Sequence, residues 1–110
     1  MEITLYGLRS CDTCKKALKT LQKAGHNITY VDVRADGLEA DKLVKFQCIF
    51  GQALVNTRST TWRGLSDDDR ERPALQLLME HPTLMKRPVI DAGGVLSLGW
   101  NKDVQAGFST

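Results

Sequence analysis

Between residues 3 and 33 the spacing of apolar side chains changes twice. Ile3, Leu5 and Tyr6 stand in a short apolar run closed by Gly7, which predicts a strand over Ile3–Tyr6. From Cys11 the spacing becomes helical. Cys14, Ala17, Leu18, Leu21 and Ala24 fall on one side, and Lys15, Lys16, Lys19, Gln22 and Lys23 on the other. Ser10 is the expected N-cap, Asp12 sits in the first turn, and Gly25 is placed to stop the helix. Ile28–Val33 then alternates as a second strand. Two strands around one helix make a βαβ unit with a right-handed crossover.

The middle of the chain is helical in pattern. Leu38–Phe50 predicts a helix that offers Leu43, Val44, Phe46, Ile49 and Phe50 for burial, with Gly51 at its end. Asn56-Thr57-Arg58-Ser59-Thr60-Thr61-Trp62-Arg63 has no period and reads as a structured loop. Ser66-Asp67-Asp68-Asp69 is a capping pattern with acids at the positive end of a helix. Pro73 cannot sit mid-helix and is expected to begin a fresh one at its first position, with Leu75, Leu77, Leu78 and Met79 inward and His81-Pro82 as the stop. Val89–Asp91 and Val95–Leu98 flank Ala92-Gly93-Gly94 and predict a β-hairpin. Trp100–Phe108 is read as a closing helix with Val104 and Phe108 inward. With no repeat and no linker, the expectation is one domain over residues 1–110.

Composition narrows the function classes. A net charge of +2 with no basic run gives no reason to expect nucleic acid. No apolar segment reaches the roughly 20 residues of a membrane span. Met1-Glu2-Ile3-Thr4-Leu5 lacks the basic start and apolar core of a signal peptide, so a cytoplasmic location is expected. In that compartment disulfides are mostly transient and catalytic, and the odd count of three cysteines fits redox chemistry better than a stapled framework.

Cys11-Asp12-Thr13-Cys14 is a C-x-x-C at the start of a helix. A free thiol near pKa 8.5 is only slightly ionised at neutral pH, whereas a helix N-terminus and nearby cations favour the thiolate. Cys11 has the helix start, with Arg9, Lys15 and Lys16 close in sequence. Cys14, one turn in, is expected to point inward. Cys11 is thus the attacking thiol and Cys14 the resolving one. Two other readings stay open: incidental reduced thiols, or half of a zinc site, although Cys48, His26 and His81 offer no matching ligand spacing. Blander readings suit the rest. Cys48 is half-buried, His26 exposed, His81 a helix-end cation and Asp67–Asp69 a cap, while Trp62 and Trp100 are half-buried packing or walls beside the thiol.

Leu5-Tyr6-Gly7, Cys11-Asp12-Thr13, Lys15-Lys16-Ala17, Asp36-Gly37-Leu38, the block Asn56–Arg63, Lys86-Arg87-Pro88 and Leu98-Gly99 together resemble the arsenate reductase (ArsC) family, in particular its YffB-like branch. The pieces occur in order along the whole chain. The resemblance implies a thioredoxin-like α/β fold: βαβ, a helical insertion, a β-hairpin and a C-terminal helix. It makes Cys11 the nucleophile, Arg58 and Arg87 the arginines that hold an oxyanion, and Pro88 a cis-proline. Ser10, Lys15, Thr57, Arg63, Lys86 and Pro88 complete the expected substrate-binding set. Arsenate reductases of the family carry a third arginine where this chain has Gly99-Trp100-Asn101. The C-x-x-C resembles the Spx branch, regulators that bind RNA polymerase and use the pair as a redox switch. The implied function is a monomeric thiol reductase acting on a disulfide or small anionic substrate. No bound cofactor or metal is implied; reducing equivalents come from glutathione or a glutaredoxin- or thioredoxin-type protein. Arsenate reduction proper and Spx-like regulation are the alternatives.

Overall fold

The computed structural model describes residues 2–108. In chain order its elements are β1 (Glu2–Gly7), α1 (Asp12–Lys23), β2 (Asn27–Asp32), α2 (Ala40–Phe50), α3 (Thr60–Arg63), α4 (Asp67–Arg70), α5 (Ala74–Glu80), β3 (Val89–Ala92), β4 (Val95–Leu98) and α6 (Lys102–Gly107). Short 3₁₀ turns follow α2 at Gly51–Leu54 and α5 at Pro82–Leu84. The described residues form two compact units, 2–33 with 87–108, and 34–86.

The first unit holds the sheet, ordered β2-β1-β3-β4. β1 and β2 run parallel with Ile3 opposite Ile28 and Leu5 opposite Tyr30, as a βαβ unit requires. β3 lies antiparallel on the other side of β1, with Leu5 opposite Ile90, and β4 completes the hairpin. Gly93 and Gly94 both have positive φ, 63° and 91°, which is what a two-residue type I′ turn demands of its central residues. Asp91 Oδ1 accepts the Gly94 N–H at 2.9 Å and closes that turn. The core of this unit joins Ile3, Leu5 and Ile90 of the sheet to Cys14, Ala17 and Leu21 of α1. Leu18, Trp100, Val104 and Phe108 pack around it, half-buried. The arrangement is the thioredoxin-like α/β fold.

The ends of α1 follow from local chemistry. Gly25 N–H bonds the Gln22 carbonyl and His26 N–H the Leu21 carbonyl, the paired bonds of a Schellman stop. At the other end the expected cap is corrected. Leu8 O accepts the Cys11 N–H at 3.0 Å, a turn that leaves Ser10 exposed outside the helix and makes Cys11 the N-cap residue.

The second unit is the helical insertion. Leu43 and Phe46 of α2, Leu77 and Leu78 of α5, and Leu54, Leu84 and Met85 are buried there. Val55 and Met85 form an isolated antiparallel bridge, and Lys86 N–H reaches Leu54 O at 2.7 Å. Several expectations are corrected. α2 begins at Ala40, and its face is narrower than the pattern offered: Val44 and Ile49 are exposed and Phe50 is half-buried. Met79 is exposed and Leu75 half-buried. Cys48 is exposed. The Asn56–Arg63 block is not loop throughout, since Ser59 Oγ accepts the Trp62 N–H at 3.1 Å and caps α3. Ser66 caps α4 through the Asp69 N–H, as its pattern implied. Pro73 is the N-cap of α5, not its first residue.

Candidate active site

The two cysteines stand at the first turn of α1 in different surroundings. Cys11 is half-buried and Cys14 is fully buried in the core of its unit. Both are free thiols. Cys14 fits because β1 ends in glycine. A Cβ on Gly7 would lie 2.5 Å from the Cys14 sulfur and 3.3 Å from the Tyr30 hydroxyl, so the sulfur occupies space that any other side chain would fill.

Burial alone would push the Cys11 thiol up. It is outweighed by donors aimed at the sulfur, so the pKa is lowered. The Cys14 thiol and the Cys14 backbone N–H act first, and the Arg87 guanidinium adds a hydrogen bond and its charge. Cys11 is not a regular capping side chain, but the N–H of Cys14, three residues into the helix, favours its ionised sulfur. Cys14 moves the other way. Burial pushes its thiol up to about 12, against a pull from the Leu8 backbone, and the neighbouring Cys11 sulfur adds to the rise. The pair is therefore split into one sulfur suited to be a thiolate and one held as a proton donor.

Arg87 immediately precedes a cis peptide bond to Pro88, at the entry to β3. Pro88 is buried, and its carbonyl accepts the Gly99 N–H at 2.8 Å. Because β3 pairs directly with β1, Arg87 arrives at the cysteine turn from about 75 residues further along the chain. The cation that matters most to Cys11 is thus Arg87 and not Arg9, Lys15 or Lys16. Arg9, Lys15, Leu18 and Tyr30 instead line a shallow cleft of about 280 Å³.

Of the residues singled out in the sequence, Ser10, Cys11, Cys14, Lys15, Arg87 and Pro88 belong to the sheet unit, and Cys11, Cys14 and Arg87 interact. Thr57, Arg58, Arg63 and Lys86 belong to the helical unit and are exposed. There Asn56 Oδ1 accepts the Arg58 N–H at 3.1 Å, and Arg70 bonds the Trp62 and Arg63 carbonyls at 3.2 Å while lying over the Trp62 ring. This frame fixes the backbone that carries Arg58 and Arg63. His26 is half-buried, not exposed. Among the described residues no group of three or more His, Cys, Asp or Glu side chains is arranged to hold a metal ion. The sequence pattern gives Tyr30 only as a face residue of the second strand; in the structure its hydroxyl donates to Leu8 O at 2.6 Å, beside Cys14. No sequence spacing points to it, because its place depends on the parallel register of β2.

The ArsC family matches residues 6–108. The chain belongs to the ArsC family. It is 46% identical to an uncharacterised protein of Haemophilus influenzae over 115 aligned positions, covering 97% of this chain and 99% of that one. A solved YffB protein is similar with a TM-score of 0.90 and 29% identity, covering 98% of this chain and 99% of the other. The global transcriptional regulator Spx of Bacillus subtilis is 28% identical, over 92% of this chain and 82% of Spx. The ArsC-family chain thus has relatives among YffB proteins and Spx regulators. No helix of the described residues is long and apolar enough to cross a membrane.

Proposed function

We propose that this ArsC-family chain is a cytoplasmic thiol reductase that draws its electrons from glutathione. The observation that carries the reading is the split pair: Cys14 and Arg87 lower the pKa of the half-buried Cys11, while burial raises that of Cys14 behind it. The Cys11 thiolate attacks one sulfur of a substrate disulfide and forms a mixed disulfide, and the other sulfur leaves as a thiolate. Resolution then takes one of two courses. Cys14 loses its proton to solvent base and attacks Cys11 Sγ, releasing the bound thiol and leaving a Cys11–Cys14 disulfide that two glutathione molecules reduce. Alternatively one glutathione attacks the mixed disulfide directly. Arg87, beside Cys11, binds an anionic group of the substrate, since guanidinium groups suit carboxylates and oxyanions alike. No metal or bound cofactor enters these steps, and a glutaredoxin- or thioredoxin-type protein is a second possible reductant.

The kinship to Spx and the C-x-x-C favour a second reading, in which oxidation of the pair alters a surface that contacts RNA polymerase. The deciding assay is steady-state turnover of a glutathionylated peptide and of arsenate by wild type, Cys11→Ser and Cys14→Ser. The reductase reading expects turnover of the peptide, its loss in Cys11→Ser, and little arsenate reduction. Full activity of Cys11→Ser overturns it. Absence of all turnover, together with redox-dependent retention of RNA polymerase, establishes the regulator instead.

A further inference from the structure

We propose that Tyr30 is a positioning residue for the resolving thiol: its hydroxyl swings from the Leu8 carbonyl to the Cys14 sulfur as Cys14 attacks a mixed disulfide on Cys11. The inference rests on the reading of Cys14 as the resolving thiol.

The parallel pairing of β2 with β1 sets Tyr30 opposite Leu5, two residues before Gly7. From there the Tyr30 hydroxyl reaches the Leu8 carbonyl at 2.6 Å. That carbonyl also accepts the Cys11 N–H at 3.0 Å, so it keeps a partner when the hydroxyl turns away. The Cys14 sulfur and the Tyr30 oxygen flank the same point above Gly7, at 2.5 and 3.3 Å from where a Cβ would sit. The hydroxyl and the sulfur are close enough to interact. Glycine at position 7 leaves room for both.

The need for such a donor follows from the chemistry. While Cys11 is a thiolate, Cys14 donates its S–H to it. Once Cys11 is bonded to glutathione it carries no charge, and Cys14 must become the anion in a buried place. Burial disfavours that anion strongly. The backbone of Leu8 supplies one stabilising hydrogen bond. The Tyr30 hydroxyl is a second donor in reach, and its own proton is held firmly by burial and by the nearby sulfur charges. In the step, the Cys14 proton goes to solvent base and Cys14 Sγ bonds Cys11 Sγ. The Cys11–glutathione S–S bond breaks, and glutathione leaves as a thiolate that takes a proton from solvent. In this step Cys14 Sγ is oxidised to the disulfide level as the glutathionyl sulfur is reduced to a thiol. Over both steps the cysteine pair loses two electrons and oxidised glutathione becomes two glutathione thiols.

The test mixes the reduced protein with oxidised glutathione and follows glutathione release by acid quench and mass spectrometry. The first equivalent reports attack by Cys11, and the second reports resolution by Cys14. Tyr30→Phe keeps the ring and removes the donor. The second phase is expected to slow roughly tenfold at pH 7, the scale of one hydrogen bond to a charged group. Its pH profile moves to higher pH, and the pH midpoint of the first phase stays where it is. Tyr30→3-fluorotyrosine, a stronger donor of nearly the same shape, speeds the second phase. A second phase within twofold of wild type in Tyr30→Phe overturns the proposal. So does an equal slowing of both phases, which marks a packing role. Release of only one equivalent by wild type instead overturns the reading of Cys14 as resolving thiol.

Discussion

Replacing Gly7 by Ala adds one carbon at a place the fold has already filled. The backbone there is not in the left-handed region, so strain comes from contact alone. The new Cβ would lie 2.5 Å from Cys14 Sγ and 3.2 Å from Cys14 Cβ. An ordinary non-bonded separation is roughly 3.5–4.0 Å, so the sulfur overlaps by about 1 Å or more. It cannot step aside freely, because Cys14 is fully buried in a cluster with Leu5, Ala17 and Leu21. Overpacking of this kind costs about 1–3 kcal/mol, which lowers the melting temperature of a domain this size by roughly 5–15 °C. The assay is thermal unfolding of the reduced protein by circular dichroism for wild type, Gly7→Ala, Cys14→Ala and the double variant. Removing the sulfur opens the slot that the methyl needs. The double variant should therefore be more stable than the sum of the single losses by about 1 kcal/mol or more. Strictly additive losses, or Gly7→Ala melting within 2 °C of wild type, would refute the claim that Gly7 exists to seat the Cys14 sulfur.

The remaining predictions concern charge and capping. Arg87→Ala should raise the pH midpoint of Cys11 alkylation by iodoacetamide and slow alkylation at pH 7 about threefold to tenfold, the range for losing a partly exposed charge-assisted hydrogen bond; an unchanged profile would remove Arg87 from the site. Cys14 is raised in the folded protein to about 12, so its contribution to stability is complete below its unfolded pKa and is lost as pH climbs toward 12; denaturant titrations from pH 8 to 11 should show wild type losing stability faster than Cys14→Ala. Cys11 is lowered, so its contribution is present above its unfolded pKa and is lost as pH falls through the folded one. The margin of wild type over Cys11→Ser should accordingly grow with pH up to the free-thiol range. Ser59→Ala removes the cap of α3 and the 2.7 Å bond to the Asn56 carbonyl, and should cost about 1 kcal/mol in chemical denaturation; a cost near zero would mean that Arg70 alone holds this segment.

What could be read from the sequence divides along the range of the interactions involved. The βαβ unit, the Gly93-Gly94 hairpin and the stop after Ala24 depend on residues within a few positions of one another, and their patterns survive in the linear chain. The second unit was less legible because short helices carry little periodicity. α3 has four residues and depends on the Ser59 cap, so the Asn56–Arg63 block reads as loop until the cap is seen. Val44 and Ile49 match a helical pattern that is wider than the face α2 buries. Periodicity says which residues could share a face, and only packing decides how broad that face is.

The candidate site shows the same division more sharply. That Cys11 opens a helix is local, and the thiolate argument could begin from it. The electrostatics that complete the argument are not local. Arg87 reaches Cys11 only because β3 pairs with β1, and Tyr30 reaches Cys14 only because β2 pairs with β1 on the other side. The lysines nearest in sequence, Lys15 and Lys16, are exposed, and neither is among the groups that lower the Cys11 pKa. The N-cap moved from Ser10 to Cys11 for a related reason, since the turn from Leu8 to Cys11 spends Ser10 on the approach to the helix. That shift strengthens the chemistry. A cysteine at the cap position presents its sulfur to the N–H of the residue three further on, and here that residue is the partner thiol itself. The C-x-x-C spacing thus sets both sources of the lowered pKa, backbone and thiol. Arg87 adds a third from across the sheet, and the one-methyl gap above Gly7 lets the partner sit deep enough to keep its proton.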